Sequence, residues 1–177
     1  MNKLQRGFTL IELLIVIALL GALAVGLLAA LDPFEQLKKG TDTGVRNTVS
    51  ELQGAVIRYY AIKNHMPWCS DDTCASYVDG LSDTFTAKTA FSMPTVIANV
   101  VASGELKADF STLAGTATLT KMIVFGSNTS ASVEVCYKPT SKSFTSDPNT
   151  KFSPTTGLTG CTANANPAVN TCLWCVL

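Results

Sequence analysis

Residues 13–31 run for nineteen positions without a charged side chain, and nearly all of them are aliphatic or small. As an α-helix this run is about 28 Å long at ~1.5 Å per residue, close to the ~30 Å hydrocarbon core of a bilayer. A helix apolar on every face has no side to turn toward water, so the stretch reads as a membrane span. Lys3 and Arg6 precede it, and Asp32 and Glu35 follow it. The positive-inside rule then keeps the first residues in the cytoplasm and sends the rest outward. One residue fits this poorly. Glu12 sits at the mouth of the run, where a carboxylate is costly to place in hydrocarbon.

A secretory signal peptide would explain the basic start, and Ala22-Leu23-Ala24 offers a small-residue cleavage pattern. Such a peptide needs neither the continuation to Leu31 nor an acid near its apolar start. A plain signal anchor accounts for the length but not for Glu12. The run Gly7-Phe8-Thr9-Leu10-Ile11-Glu12, behind a short basic leader and ahead of a long aliphatic helix, resembles the class III signal of type IV pilins and pseudopilins. The resemblance implies that a membrane-embedded prepilin peptidase cuts between Gly7 and Phe8 and methylates the new amine of Phe8. It also implies that Glu12 acts in assembly.

Physical chemistry gives that pattern a purpose. A cut ahead of the apolar run leaves the helix on the mature chain, with a cationic amine at Phe8 and an anionic Glu12 four residues on. Each charge is expensive alone in hydrocarbon, and the cost falls when they pair. Within one helix the two positions share a face. Between neighbours, Glu12 of one copy and the Phe8 amine of the next would set axial register, a head-to-tail contact that builds an open helical filament. A methylated secondary amine stays protonated, so methylation keeps the pairing.

The chain then divides into a leader at 1–7, a transmembrane and assembly helix at 8–31, an amphipathic continuation at 32–66, and a globular head at 67–177. Pro33 falls at the membrane exit, where its missing N–H and its ring kink or break a helix. Gly21 and Gly26 weaken the helix upstream, as Gly40 and Gly44 do downstream. They serve either close helix packing or local melting in a filament, as resolved pilin filaments show; with Pro33, Gly21 and Gly26 are candidate points of flexibility. Beyond them Val45, Val49, Leu52, Val56 and Tyr59 recur at steps of four and three, an apolar stripe for seating the helix on the head. Arg46, Ser50, Gln53 and Arg58 lie off it. The close at residues 59–67, with Tyr59-Tyr60 and Pro67, reads as helix stop and turn and resembles the end of the first pilin helix. His65, the single histidine, falls in that turn.

In the head, a helix is expected at 95–103, capped by Ser92 and stopped by Gly104. Strands are expected at 121–125 and 132–137, with a third near 142–145. The fold class is therefore α+β: a long N-terminal helix, half transmembrane and half amphipathic, on a small antiparallel sheet, with a disulfide-stapled C-terminal region. Cys69, Cys74, Cys136, Cys161, Cys172 and Cys175 make an even count behind an export signal, which reads as a disulfide framework with 15 possible pairings. Cys69 and Cys74 can close a local loop. Cys161, Cys172 and Cys175 are expected to pin the polar tail, with Cys136 on a strand. Cys172-Leu-Trp-Cys175 is the one C-x-x-C, too little for a tetrathiolate zinc site, and no metal or other cofactor is expected.

Enzymatic chemistry finds little support. No nucleophile elbow, Walker loop, zincin motif or dinucleotide fingerprint is present, and a Ser-His-Asp hydrolase would have to use His65. Without Lys3 and Arg6 the side chains sum to a formal −2, which argues against strong nucleic-acid binding; Lys138, Lys142 and Lys151 could form a local patch, or be simply solvated. The resemblance implies as partners other copies of the chain, the prepilin peptidase, an inner-membrane assembly platform, and membrane lipid before assembly. It places the chain in the cytoplasmic membrane, head outside, and then in an extracellular filament. A pilus subunit is the leading expectation; a pseudopilin or minor pilin, and an anchored binding domain that never polymerises, are the alternatives. No carboxylate follows Asp147, so residues 148–177 do not resemble the calcium loop of major pseudopilins.

Overall fold

The computed structural model describes residues 7–30 and 32–176; the basic leader with Lys3 and Arg6, and Leu31 at the end of the apolar run, lie outside the described residues. The chain divides into two compact units, one ending at Leu37 and one beginning at Lys38. The first holds helix α1 (Leu10–Ala30) and the start of helix α2 (Pro33–Lys63). Pro33 is expected to kink or break the helix, and α1 and α2 are separate elements among the described residues. Pro33 then opens α2, where a missing N–H costs nothing and the fixed φ suits a first helical turn. The Asp32 carboxylate accepts from the Glu35 N–H at 3.2 Å and caps the restart.

In the second unit, α2 presents the apolar stripe read from the sequence. Val45, Val49, Leu52, Val56 and Tyr59 are all buried. They join Met122, Val124, Val133, Val135 and Trp174 in one core beneath a five-stranded antiparallel sheet. The strands are β1 (Thr84–Thr89), β2 (Met122–Ser127), β3 (Ser132–Tyr137), β4 (Thr150–Phe152) and β5 (Leu173–Val176), in the order β1-β2-β3-β5-β4. Strand alternation sends Phe125, Cys136, Phe152, Leu173 and Cys175 to a second, smaller core on the other face. Trp68 is fully buried and meets Phe85 edge-on at 5.0 Å. Gly126 makes that pair possible, since a Cβ there would stand 2.7 Å from the Trp68 ring.

Helix α2 stops at Lys63, where Asn64 takes a left-handed φ of 59° and donates its N–H to the Tyr60 carbonyl. Helices α3 (Pro94–Ala102) and α4 (Phe110–Lys121) flank the sheet, α4 being interrupted at Gly115. The end of α3 falls where expected, with Gly104 and Glu105 donating back to Val101 and Val100. Its start differs. Ser92 does not cap it, because its hydroxyl donates to the Thr89 carbonyl instead. The cap comes from Asp79, whose two carboxylate oxygens accept from the N–H groups of Thr95 and Val96 at 3.2 and 2.9 Å. The strand expected near 142–145 is a helical turn, α5 (Lys142–Thr145), because Ser141 caps it by accepting from the Phe144 N–H.

Candidate processing and assembly segment

Gly7, Phe8 and Thr9 precede the first turn of α1 and are non-helical. Open space surrounds Gly7, with no atom within 4 Å of where a Cβ would be, and Phe8 is exposed. The Gly7–Phe8 bond is therefore accessible. Thr9 and Glu12 then form a reciprocal capping box. Glu12 Oε2 accepts from the Thr9 N–H at 2.9 Å and from its hydroxyl at 2.8 Å, and the Glu12 N–H donates to Thr9 Oγ1 at 3.3 Å. This local use of Glu12 was written in the sequence as T-x-x-E, and the reading of the acid as half of an intersubunit pair passes over it. A carboxylate offers about four lone-pair sites, so two bonds to Thr9 leave room for an ammonium.

From Leu10 to Leu28 the helix is apolar enough to cross a membrane, with a mean hydropathy of 2.8 and none of it buried within the chain. Leu13, Ile17, Leu20 and Leu28 are among the large side chains left exposed. Helix α1 runs through Gly21 and Gly26 unbroken, with open space around both.

The head is tied together by its cysteines, which form the pairs Cys69–Cys74, Cys136–Cys175 and Cys161–Cys172. The first closes a local loop, the second joins β3 to β5, and the third pins the tail. Glu134, Cys136 and Cys175 place an oxygen and two sulfurs within 4.8 Å of one another, but the sulfurs are bonded together and cannot serve as thiolate ligands. His65 is buried, with Nε2 3.2 Å from Asp72 and its ring edge-on to Tyr59.

Two residues of α2 outside the apolar stripe secure the helix to this stapled region. Asp42 is 2% exposed, and its carboxylate accepts from the N–H and hydroxyl of both Thr140 and Ser141 at distances down to 2.7 Å. One turn on, Arg46 lies 4.2 Å over the Trp174 ring and 3.6 Å from Asp147. Tyr137 packs against Trp174 at 5.6 Å, and burial together with the nearby Asp42 pushes its phenol far above the ordinary tyrosine range.

Residues 2–28 match the family model described as the prokaryotic N-terminal methylation motif. The chain is 39% identical over 84 residues to the type IV major pilin protein PilE1 of Neisseria gonorrhoeae, covering 47% of this chain and 48% of that one. It is 42% identical over 76 residues to the fimbrial protein of Neisseria meningitidis serogroup A, covering 42% of each. The chain is similar to type IV pilins. The chain spans about half the length of the curated relatives it matches. No solved structure matches it significantly.

Proposed function

We propose that this chain is a pilin made as a prepilin, cut between Gly7 and Phe8, methylated on the Phe8 amine, and polymerised through α1 into a type IV pilus filament. Its role is structural rather than catalytic. Before assembly the subunit sits in the cytoplasmic membrane with its head outside, in contact with lipid, the prepilin peptidase and an inner-membrane assembly platform. Afterwards it is part of an extracellular homopolymer. The observation that carries the reading is an accessible Gly7–Phe8 bond directly ahead of a fully exposed apolar helix whose first turn holds Glu12. Once cut, the chain has a cation at its end and an anion one turn along. Exchange of that pair between copies fixes axial register while the helices are still in hydrocarbon. Gly21, Gly26 and the break at Pro33 let the span adapt its length and direction as copies pack.

The intact mass of the native protein tests the processing step. A mass beginning at Phe8 with one added methyl group is expected, and a start at Met1 or a cut after Ala24 would refute it. Glu12→Ala is expected to insert and be cleaved but to yield few filaments. Normal filament yield from that variant would refute the charge pairing. A pseudopilin role is less favoured, because the stapled tail has no carboxylate after Asp147 with which to hold calcium.

A further inference from the structure

The outer face of β1, β2 and β3 carries a groove of about 360 Å³ that plays no part in seating α2. Thr86, Ser130, Ser132 and Thr156 rim it with hydroxyls, and Leu158, 68% exposed, gives it an apolar flank. Glu134 lies in its lining, half-buried. Part of the lining next to that carboxylate is apolar or sulfur. Phe125 lines the groove beside it, and the sulfurs of Cys136 and Cys175 lie within 4.8 Å. The chain at Gly157 comes so close that a Cβ there would stand 3.1 Å from Glu134 Oε2. Among the described residues the Glu134 carboxylate has no ion pair and no hydrogen bond. Burial holds its carboxyl above the ordinary glutamate range. An acid desolvated without a partner is stabilised by an arriving cation, and the groove is open to one.

The geometry also favours one kind of cation. A compact ammonium has three rotatable donors, which can divide between the carboxylate and separate hydroxyl acceptors on the rim. Its methylene stem can lie along an apolar flank such as Leu158. The head supplies such groups itself. Arg46 and Arg58 are engaged by Asp147 and Glu105, whereas Lys88, Lys107, Lys121 and Lys138 are exposed and form no ion pair among the described residues. A head-to-tail polymer brings unlike patches of identical chains together, so acceptor and donor need not be close in one copy.

We propose that the groove over Glu134 receives a lysine side chain from the head of a neighbouring copy, whose ammonium pairs with the Glu134 carboxylate. This rests on the polymerisation proposed above and adds a head-to-head contact to the helix contact. Filaments grown from mixed light and nitrogen-15-labelled subunits are treated with a zero-length carbodiimide and digested for mass spectrometry. The expected product is a mixed-isotope peptide pair joining Glu134 to a lysine, reduced at least tenfold in Glu134→Gln filaments. Retention of all three disulfides in that variant, by intact mass, checks that it folds. Filaments in which Glu134 is joined only within its own copy, or not at all, overturn the docking and leave the assembly reading standing. A full-length, correctly cut chain that forms no filaments overturns both.

Discussion

Asp42 gives the sharpest test of how the helix is held to the head. It lies on α2 between the exposed N-terminal turns and the buried stripe, and its partners Thr140 and Ser141 are 98 and 99 residues away. Asp42→Ala removes the acceptor for two backbone N–H groups and two hydroxyls at once. The hydroxyls can rotate to new acceptors, but the N–H groups are fixed by the backbone. Ser141 is 1% exposed, so its N–H is cut off from water. Leaving a buried donor unsatisfied costs about 1–3 kcal/mol, and hydrogen bonds to a charged group contribute about 1.5–3 kcal/mol. A total loss of about 3–5 kcal/mol is expected, or roughly 10 °C in Tm for a unit of this size. Asp42→Asn keeps one good acceptor and turns an N–H₂ toward donors, so it should fall between Ala and the native residue. The assay is guanidinium unfolding of the full chain in detergent micelles with disulfides intact, followed by tryptophan fluorescence. Trp174 lies under Arg46, one turn from Asp42, and should report the release. A change below about 0.5 kcal/mol in Asp42→Ala would refute the latch, since surface substitutions fall in that range.

Other outcomes follow from the same contacts. Glu134→Gln should stabilise the isolated subunit at neutral pH: the folded carboxyl titrates above its ordinary 4.5, so its neutral form is favoured in the fold. The native chain is then relatively most stable below that value and loses the advantage as pH rises through the folded value, and the difference in Tm between native and variant should open over this window. Paired Cys→Ser replacements should be ordered by loop length, with loss of Cys136–Cys175, separated by 39 residues, costing about 4 kcal/mol, and loss of Cys69–Cys74, separated by 5, costing about 2 kcal/mol. Denaturant melts of the two double variants check the order, and a larger loss from Cys69–Cys74 would refute it.

Legibility in the sequence tracked how local each interaction is. The α2 stripe could be read because burial on one helix face imposes a 3.6-residue period over four turns. Strands β2 and β3 could be read because β2 opens with four apolar residues, Met122–Phe125, and β3 alternates at Val133, Glu134 and Val135, both beside a turn. Strand β1, Thr-Phe-Thr-Ala-Lys-Thr, could not, because it is an edge with little buried and a bulge between Phe85 and Lys88. Helix α4 is rich in threonine and broken at Gly115, so propensity argues against it. Asp42 and Asp79 look like any exposed acid in sequence. Their burial and capping exist only because the fold returns Thr140 and Thr95 to them.

The two caps at Thr9 and Asp32 share one logic, an oxygen side chain three residues ahead of a glutamate. On the proposed topology the glutamate after Asp32 lies in water beyond the span. On the proposed reading the glutamate after Thr9 lies in hydrocarbon, and cleavage adds a second positive charge beside the positive end of the helix dipole. On the proposed reading Glu12 has two tasks, local capping and pairing with a neighbour, and two substitutions separate them. Thr9→Ala removes the hydroxyl half of the box but leaves the carboxylate charge, so filaments should still form from a helix with a frayed first turn. Glu12→Gln keeps an oxygen to accept from the Thr9 N–H but has no charge to offer a neighbouring amine, so helicity should persist while assembly fails. Comparing filament yield with helicity in micelles distinguishes the tasks. Equal yields from the two variants would mean that capping, not pairing, is what assembly requires of Glu12.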